Sequence, residues 1–479
     1  MRMFQGPGTD SESLGAAPDK IQKICDRVLR RIEPTQKERV RTIRLANKLV
    51  SLLEGELRRQ GIQAQVRIEG SVAKDTWLAG ENDVDIFALL PKGAPREMFF
   101  KVIESAKKIG GRWQVEYAEH PYLRTEIGKY IVEVVPCYKV DSAGEMLSAV
   151  DRTPFHTKYV LEHITEREKR EVRLLKRFMM GTNCYGAELK IQGFSGYLCE
   201  LLVLKYRTFR GVVEAASRWS VGEVIDLEGA YSSPDEAREL FEGHPLIVID
   251  PIDRNRNVAA AVSKQNFAIF VRACQDFLAS PGEKFFFPNK IKHLTDEEIK
   301  SIFRRRGTSI FCITFKPPDV VADVLYPQLR KTERSLVAQL SRAGFEVQRS
   351  DVWSNGRSVI LLELAVAKLP KVKIHVGPPI TSGTGEFIKK HLGSKKSFSG
   401  PYIDEDGRLV FEIEREKSEA IDVLEEALSK KESFGKHVAK AISEGFKIYQ
   451  GGQIVRLCRD EDFREFISEY LSHRLSWYR

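Results

Sequence analysis

Between Val40 and Leu57 the apolar residues Val40, Ile43, Val50, Leu53 and Leu57 recur at the spacing of one helix face. This predicts helix from about Asp19 to Arg59, broken within EPTQKE, where Pro34 and Thr35 stop one helix and start another. The second of these helices is expected to back a sheet. The period then falls to two: AQVRIEG, DVDIFALL, RWQVEYAE and KYIVEVVPCY read as strands, with PREMFFKVIESAKKI a helix among them. Residues 19–154 are therefore expected to form an α+β domain around one mixed sheet. After DRTPFHTKYV the pattern turns helical through EREKREVRLLKRFMMG, GFSGYLCELLVLKYRTF and NVAAAVSKQNFAIFVRACQDFL, which predicts a helical domain over 155–282. The Pro-Gly step in ASPGEKFFFPNKIK marks a boundary near 282. Beyond it SIFCITFK, the helix YPQLRKTERSLVAQLSRAG and SVILLELAVAKL mix strand and helix again, so 283–479 is expected to hold C-terminal α+β domains. Residues 1–18, rich in Gly, Ser, Asp and Pro, read as a flexible tail.

Composition narrows the class. At 479 residues the chain exceeds what one core serves, and 42% hydrophobic with 30% charged residues suits a globular protein. No apolar run reaches the roughly 18 residues of a membrane span, and the N-terminus lacks the apolar segment of a secretory signal, so a membrane role is not expected and a cytoplasmic location is. Seven scattered cysteines, without any C-x-x-C spacing, point to reduced buried thiols rather than a disulfide framework or a zinc site. A net charge of +9, from 76 basic and 67 acidic residues, fits a polyanionic partner. Residues 284–306 hold seven basic against three acidic residues, with Phe285, Phe286 and Phe287 interleaved. Such a stretch suits either the phosphates of an RNA helix or a solvated charged face over an aromatic core.

The candidate chemistry begins at Asp83 and Asp85. Two apart in a strand, they project to one side at about 6.5 Å spacing while Val84 and Ile86 project to the other. Carboxylates so placed repel unless a cation lies between them, and Mg²⁺, a hard ion that takes carboxylate oxygens and substrate phosphates, is the natural candidate. A strand with one wet face is the plain alternative. Upstream, Gly70-Ser71 ends a strand and opens SVAKDTWLA, where free backbone N–H groups and a hydroxyl can meet a phosphate. Glu133 is a lone carboxylate among Ile, Val and Val in KYIVEVVPCY. If its strand neighbours that of Asp83 and Asp85, three carboxylates converge, enough for two metal ions and in-line phosphoryl transfer. Otherwise Glu133 partners a buried Lys or Arg.

Gly70-Ser71, a spacer, Asp83-x-Asp85 and a later strand carboxylate together resemble the nucleotidyltransferase superfamily typified by DNA polymerase beta. The stretches GSVAKDTWL, VVPCY, DRTPFHTKYV, CYGAELKIQGFSGYLCELLV and RNRNVAAAVS resemble, more narrowly, the archaeal class I CCA-adding enzymes, which are tRNA nucleotidyltransferases. The likeness is dense over about 20–280 and looser beyond. It implies metal-binding acids at Asp83, Asp85 and Glu133, although the third is usually Asp in that family. Ser71 matches the serine that contacts the nucleotide's phosphates, and Lys74 stands where arginine is common, keeping the charge without the bidentate fork. His156, Lys176 and Tyr185 match nucleotide-binding positions by their places in TPFHTKY, RLLKRF and NCYGAEL. Read without the resemblance, the histidine is structural, the lysine solvated and the tyrosine a packing residue. Arg256 would simply precede a helix capped by Asn257. The resemblance instead implies that it reads the base edge of CTP or ATP.

The whole resemblance implies an α+β multidomain enzyme with a mixed-sheet head, a helical neck and C-terminal body and tail domains. Such an enzyme, dependent on Mg²⁺, adds CMP, CMP and AMP to the 3′ end of tRNA without a template and grips the acceptor stem and T loop. The resemblance also suggests a homodimer. Two other readings share parts of the pattern: a poly(A)-adding enzyme, with the same Gly-Ser and D-x-D core, and a catalytically silent RNA-binding protein on this scaffold.

Overall fold

The computed structural model of the chain describes residues 16–110, 112–117, 121–381 and 383–479. Of the expected tail, residues 1–15 lie outside the described residues, and 16–18 already belong to the first helix. The chain forms two units: one runs to Lys290 and takes in Arg474–Arg479, and the other is Ile291–His473.

The first unit opens with helices α1 (Ala16–Ile32) and α2 (Gln36–Arg59), and Thr35 caps α2 by accepting from the Glu38 backbone N–H at 3.2 Å. Strands β1 (Gln65–Glu69), β2 (Asp83–Pro91), β3 (Gln114–Tyr117), β4 (Pro121–Ile127) and β5 (Tyr130–Lys139) form one sheet, with α3 (Gly70–Lys74) after β1 and α4 (Glu97–Lys107) after β2. The sheet order is β1-β2-β5-β4-β3, and β2 and β5 run parallel within an otherwise antiparallel set. The expected mixed sheet is therefore present, with β4 as the strand that the sequence pattern did not suggest. Its only buried positions are Leu123 and Thr125, too few to print a period of two.

Alternation along β2 decides what each face does. Val84, Ile86, Ala88 and Leu90 pack with Val132 and Val134 of β5 against Ala46, Leu49, Leu53 and Leu57 of α2 and Phe99, Val102 and Ile103 of α4. Helix α2 backs the sheet as expected through Val50, Leu53 and Leu57, but its N-terminal half departs from the expected stripe. Val40 and Ile43 stay 44% and 47% exposed, because the helix turns Thr42 and Ala46 inward instead. Helix α1 does not back the sheet. Its Ile21, Ile24, Val28 and Leu29 join a second core.

That second core is built by α5 (Thr153–His163), α6 (Glu166–Gly181), α7 (Gly196–Tyr206), α8 (Phe209–Ala216) and α10 (Lys264–Ala279), with a small sheet of β6 (Glu223–Ile225), β7 (Leu246–Asp250) and β8 (Asp253–Asn257), whose other side packs Ile247 and Ile249 against Ala237 of α9 (Pro234–Leu240). The helical expectation for this region misses that sheet. Helix α10 begins at Lys264, capped by Ser263, rather than near Asn257. Asn257 instead closes the β7–β8 turn region: its Oδ1 accepts from the backbone N–H of Val248 and Ala259, both at 2.9 Å, and its Nδ2 donates to the Leu246 carbonyl at 2.9 Å. Phe285 and Phe286 are buried in the same core, so the aromatics of the basic stretch serve packing, while Arg31 and Arg177 lie over the Phe287 ring.

The second unit contains α11 (Asp296–Arg306), β9 (Ser309–Phe315), α12 (Ala322–Ala343), β10 (Val347–Asn355), β11 (Arg357–Leu364), β12 (Val372–Pro379), α13 (Gly385–Leu392), β13 (Ser397–Ile403), β14 (Arg408–Glu414), α14 (Ala420–Lys430), α15 (Lys436–Glu444), β15 (Phe446–Gln450) and α16 (Glu461–Ser472). An antiparallel sheet of order β10-β11-β9-β15 packs α12, α14 and α15 on one face and α11 and α16 on the other, and β12, β14 and β13 form a separate sheet. All seven cysteines are free and buried, and no helix among the described residues is long and apolar enough to cross a membrane.

Candidate active site

The sheet register assembles the carboxylates. Parallel pairing of β2 with β5 sets Asp85 beside Glu133, and antiparallel pairing of β1 with β2 sets Glu69 on the other side of Asp85. On β4, Arg124 stands opposite Glu133, and its Nη1 lies 3.5 Å from Glu133 Oε1. One cross-section of the sheet therefore reads Glu69, Asp85, Glu133, Arg124, with Asp83 two residues back from Asp85 on the same face. Glu133 thus stands beside a carboxylate, and the arginine opposite it is 42% exposed rather than buried. Among the described residues no three His, Cys, Asp or Glu side chains converge closely enough to form a ready-made metal cluster.

Crowding shows in the proton affinities. Burial, then the charge of Asp83, pushes the Asp85 carboxyl up to about 6, with Lys74 opposing. Burial, then the charge of Asp85, raises Glu133 to about 7, with Arg124 opposing. Burial also raises Asp83 and Glu69. Glu69 is 3% exposed, and the Thr157 side chain, which bears on its carboxyl through a hydrogen bond, only partly offsets that burial. Such carboxylates lack full countercharge, which a hard divalent cation would supply.

Gly70 follows Glu69 with φ at +67°, and a Cβ there would stand 1.9 Å from Asp85 Oδ2. No other residue lets the backbone turn left-handed while pressed against that carboxylate. Ser71 follows, partly exposed, in the first turn of α3. The loop between α3 and β2 is fastened by α6: Arg173 Nε donates to the Trp77 carbonyl at 3.0 Å, its Nη2 to the Asp75 carbonyl at 2.5 Å, and Lys176 Nζ to the Thr76 carbonyl at 3.0 Å.

Lys74 and Lys176 are both buried rather than solvated. Lys74 Nζ lies 2.5 Å from Glu200 Oε2, and the Thr76 hydroxyl donates to Glu200 Oε1 at 2.6 Å. Burial lowers the proton affinity of Lys176, and Glu200 opposes it. Burial is also the largest influence on Glu200 and would raise its carboxyl, yet Lys74 and Lys176 bring it below the usual range. Gly196, the first residue of α7, lets Tyr185 and Lys176 approach: a Cβ there would lie 3.1 Å from the Tyr185 hydroxyl and 3.5 Å from Lys176 Nζ.

His156 and Arg256 converge on Asp250, whose side chain is fully buried at the end of β7. Asp250 Oδ2 lies 2.9 Å from His156 Nε2 and accepts from Arg256 Nη1 at 2.7 Å, while Oδ1 accepts from the Tyr197 hydroxyl and the Ile252 N–H, both at 3.2 Å. The Tyr197 ring stacks on His156 with centroids 3.9 Å apart, and Lys74 Nζ lies 5.8 Å from the same ring. Contacts thus run from Lys74 through Tyr197 to His156 and Arg256. Arg256 lines a cavity of about 510 Å³ together with Arg152, Ser195, His244, Asp253 and Asn255.

Sequence reasoning missed Glu69, Arg124, Tyr197, Glu200 and Asp250. The signal that found Glu133, a lone carboxylate in an apolar run, was equally present for Glu200 in GYLCELLVLKY and for Asp250 at the end of PLIVID.

Three family models match along the chain: a nucleotidyltransferase domain over residues 50–163, the second domain of tRNA nucleotidyltransferase over 170–287, and the C-terminal domain of the CCA-adding enzyme over 306–451. The CCA-adding enzyme of Methanosarcina acetivorans is 39% identical over 452 residues, spanning 93% of this chain and 97% of that protein. Those of Methanothermobacter thermautotrophicus and Halobacterium salinarum are 38% identical, over 93% of this chain and 97% of the relative, and 36% identical, over 94% and 98%.

Proposed function

The chain belongs to the CCA-adding enzyme family, and from that premise we propose that it adds CMP, CMP and AMP, drawn from CTP and ATP, to the 3′ end of tRNA without a template, releasing pyrophosphate each time. The observation that supports this most is the row of Asp83, Asp85 and Glu133 on one sheet face, with Asp85 pressed against Gly70, in a chain alike to its relatives over nearly its full length. Asp83 and Asp85, completed by Glu133, would hold a divalent cation, for which Mg²⁺ is the fitting ion. When bound it supplies countercharge to the triphosphate and lowers the pKa of the attacking hydroxyl.

The chain's own groups do the rest. Gly70 leaves room for Asp85, and Ser71 offers its hydroxyl to the phosphates at the start of α3. Lys74, Lys176 and Tyr185 fix the triphosphate, and an incoming phosphate competes with Glu200 for the two ammonium groups. Glu133 sits beside Asp85 toward the primer hydroxyl, with Arg124 balancing its charge. Arg256 offers N–H donors to O2 and N3 of cytosine or to ring nitrogens of adenine, whereas the N3–H of uracil meets it donor to donor. A mismatch leaves buried donors unpaired, and that cost is the basis of selection without a template.

In this reading residues 19–154 are the catalytic head, 155–282 the nucleotide-binding neck and 283–479 the body and tail that grip the acceptor stem and T loop. The enzyme works in the cytoplasm as a homodimer. The test is incorporation of labelled CMP into tRNA lacking its CCA end by Asp83→Asn and Asp85→Asn variants. Incorporation is expected to fall at least about 1000-fold while tRNA binding persists. Undiminished incorporation by either variant would refute the metal assignment.

A further inference from the structure

Asp250 is the meeting point of two residues placed at the nucleotide, and its chemistry is one-sided. All four of its neighbours, Arg256 Nη1, His156 Nε2, the Tyr197 hydroxyl and the Ile252 N–H, present donors to a carboxylate that has no exposed surface. Because the ionised carboxylate only accepts, His156 must carry its proton on Nε2. Arg256 is anchored through one terminal nitrogen, and its side chain keeps 34% exposure in the wall of the cavity of about 510 Å³. A guanidinium is a rigid planar fork, so fixing one nitrogen against a buried, immobile acceptor fixes the direction of the remaining donors. Tyr197 ties the same carboxylate to the stack on His156.

We propose that Asp250 is a specificity-determining positioning residue: it aims the free edge of Arg256 at the incoming base and holds His156 in one tautomer, so that nucleotide choice depends on a carboxylate that does not itself touch substrate. The inference rests on Arg256 as the reader of the base. Asparagine is nearly isosteric with aspartate, yet it has one acceptor oxygen where Asp250 uses two. Whichever way the amide turns, its NH₂ faces either Arg256 and His156 or Tyr197 and the Ile252 N–H, and one pair loses its acceptor.

The experiment measures kcat/KM for CTP and for UTP on tRNA lacking CCA with the full-length enzyme and the Asp250→Asn, Arg256→Ala and doubly substituted variants. Asp250→Asn is expected to lower the CTP over UTP ratio about tenfold or more, mostly through a higher KM for CTP. In the Arg256→Ala background the same substitution is expected to change the ratio less than twofold, because Asp250 acts through that arginine. A ratio unaltered by Asp250→Asn while Arg256→Ala lowers it would overturn the inference and leave the base-reading assignment standing. A ratio unaltered by Arg256→Ala would overturn the assignment itself. Should Asp250→Asn fail to fold, Tyr197→Phe removes one donor to Asp250 without adding charge or bulk. It is expected to lower the ratio about threefold, and an unchanged ratio there would count against the inference.

Discussion

At residue scale, Gly70 and Asp85 are pressed tightly together. Gly70→Ala would place a Cβ 1.9 Å from Asp85 Oδ2 at a left-handed φ of +67°, a backbone state that costs an alanine about 1–2 kcal/mol. The carboxylate has to move, so single-turnover CMP incorporation is expected to drop at least about 100-fold while the melting temperature falls only a few degrees. Loss of stability with activity retained would contradict this. Asp85 gives a second prediction. Its folded carboxyl keeps its proton up to about pH 6, against an ordinary value of 3.8, so the folded chain binds that proton more tightly than the unfolded chain. The resulting stabilisation is full below about pH 4 and is lost as pH rises through 6, and Glu133, raised to about 7, acts in the same direction. Without divalent cations, wild-type melting temperature should therefore fall relative to Asp85→Asn between about pH 4 and pH 8. Added Mg²⁺ should restore it at pH 8 and do little near pH 5, and parallel curves for the two proteins would argue against the crowded carboxylates. Legibility at this scale was uneven. Asp83, Asp85 and Glu133 stood out as acids in apolar strands, whereas Glu69 sat at a strand end, where an acid is unremarkable, and Asp250, an acid closing the apolar run PLIVI, carried the same signal but no hint of the partners that fold around it.

At element scale, the longer strand β2 of the head is plain from the sequence, and β4 and the short strands are not. β2 carries Val84, Ile86, Ala88 and Leu90 on one face and was plain; β4 and the short strands β6 to β8 print no such period. The Ala run after Asn257 suggested helix by propensity, but Asn257 spends its side chain on Val248, Ala259 and Leu246, which fixes a turn instead. Strand β11 carries a comparable device in the second unit. Glu363, without exposed surface, accepts from Arg306 at 2.6 Å, Thr308 at 2.6 Å, Arg349 at 2.9 Å and Tyr470 at 3.2 Å. Burial would raise its carboxyl, but Arg306, Thr308 and Arg349 hold it down at about 2. Glu363→Ala leaves two arginines facing an empty acceptor site and is expected to destabilise the unit by about 3–5 kcal/mol. Urea denaturation followed by a probe within residues 291–473 would check this, and a loss under about 1 kcal/mol would refute the network's importance. The wild-type contribution of Glu363 should be present above its ordinary value of 4.5 and fade as pH falls toward 2.

At the scale of the whole molecule, the candidate chemistry gathers in one of the two units. The first holds the carboxylates, the lysines around Glu200 and the cluster around Asp250. The second is where the expected grip on tRNA falls, although Lys292 and Lys300 pair with Glu298 and Glu297, and Arg306 with Glu363, so a basic count read along the sequence overstates the charge left for phosphates. Charge totals were legible in the sequence, but which charges are already spent was not, because pairing depends on the fold. The central claim is that one site adds a fixed, untemplated triplet. Its most direct measurement is the 3′-end sequence of tRNA lacking CCA after incubation of the wild-type enzyme with Mg²⁺ and all four nucleoside triphosphates. The expected product carries C-C-A added in that order, with addition stopping there. A homopolymeric A tail, entry of U, or tRNA bound but unextended would contradict it.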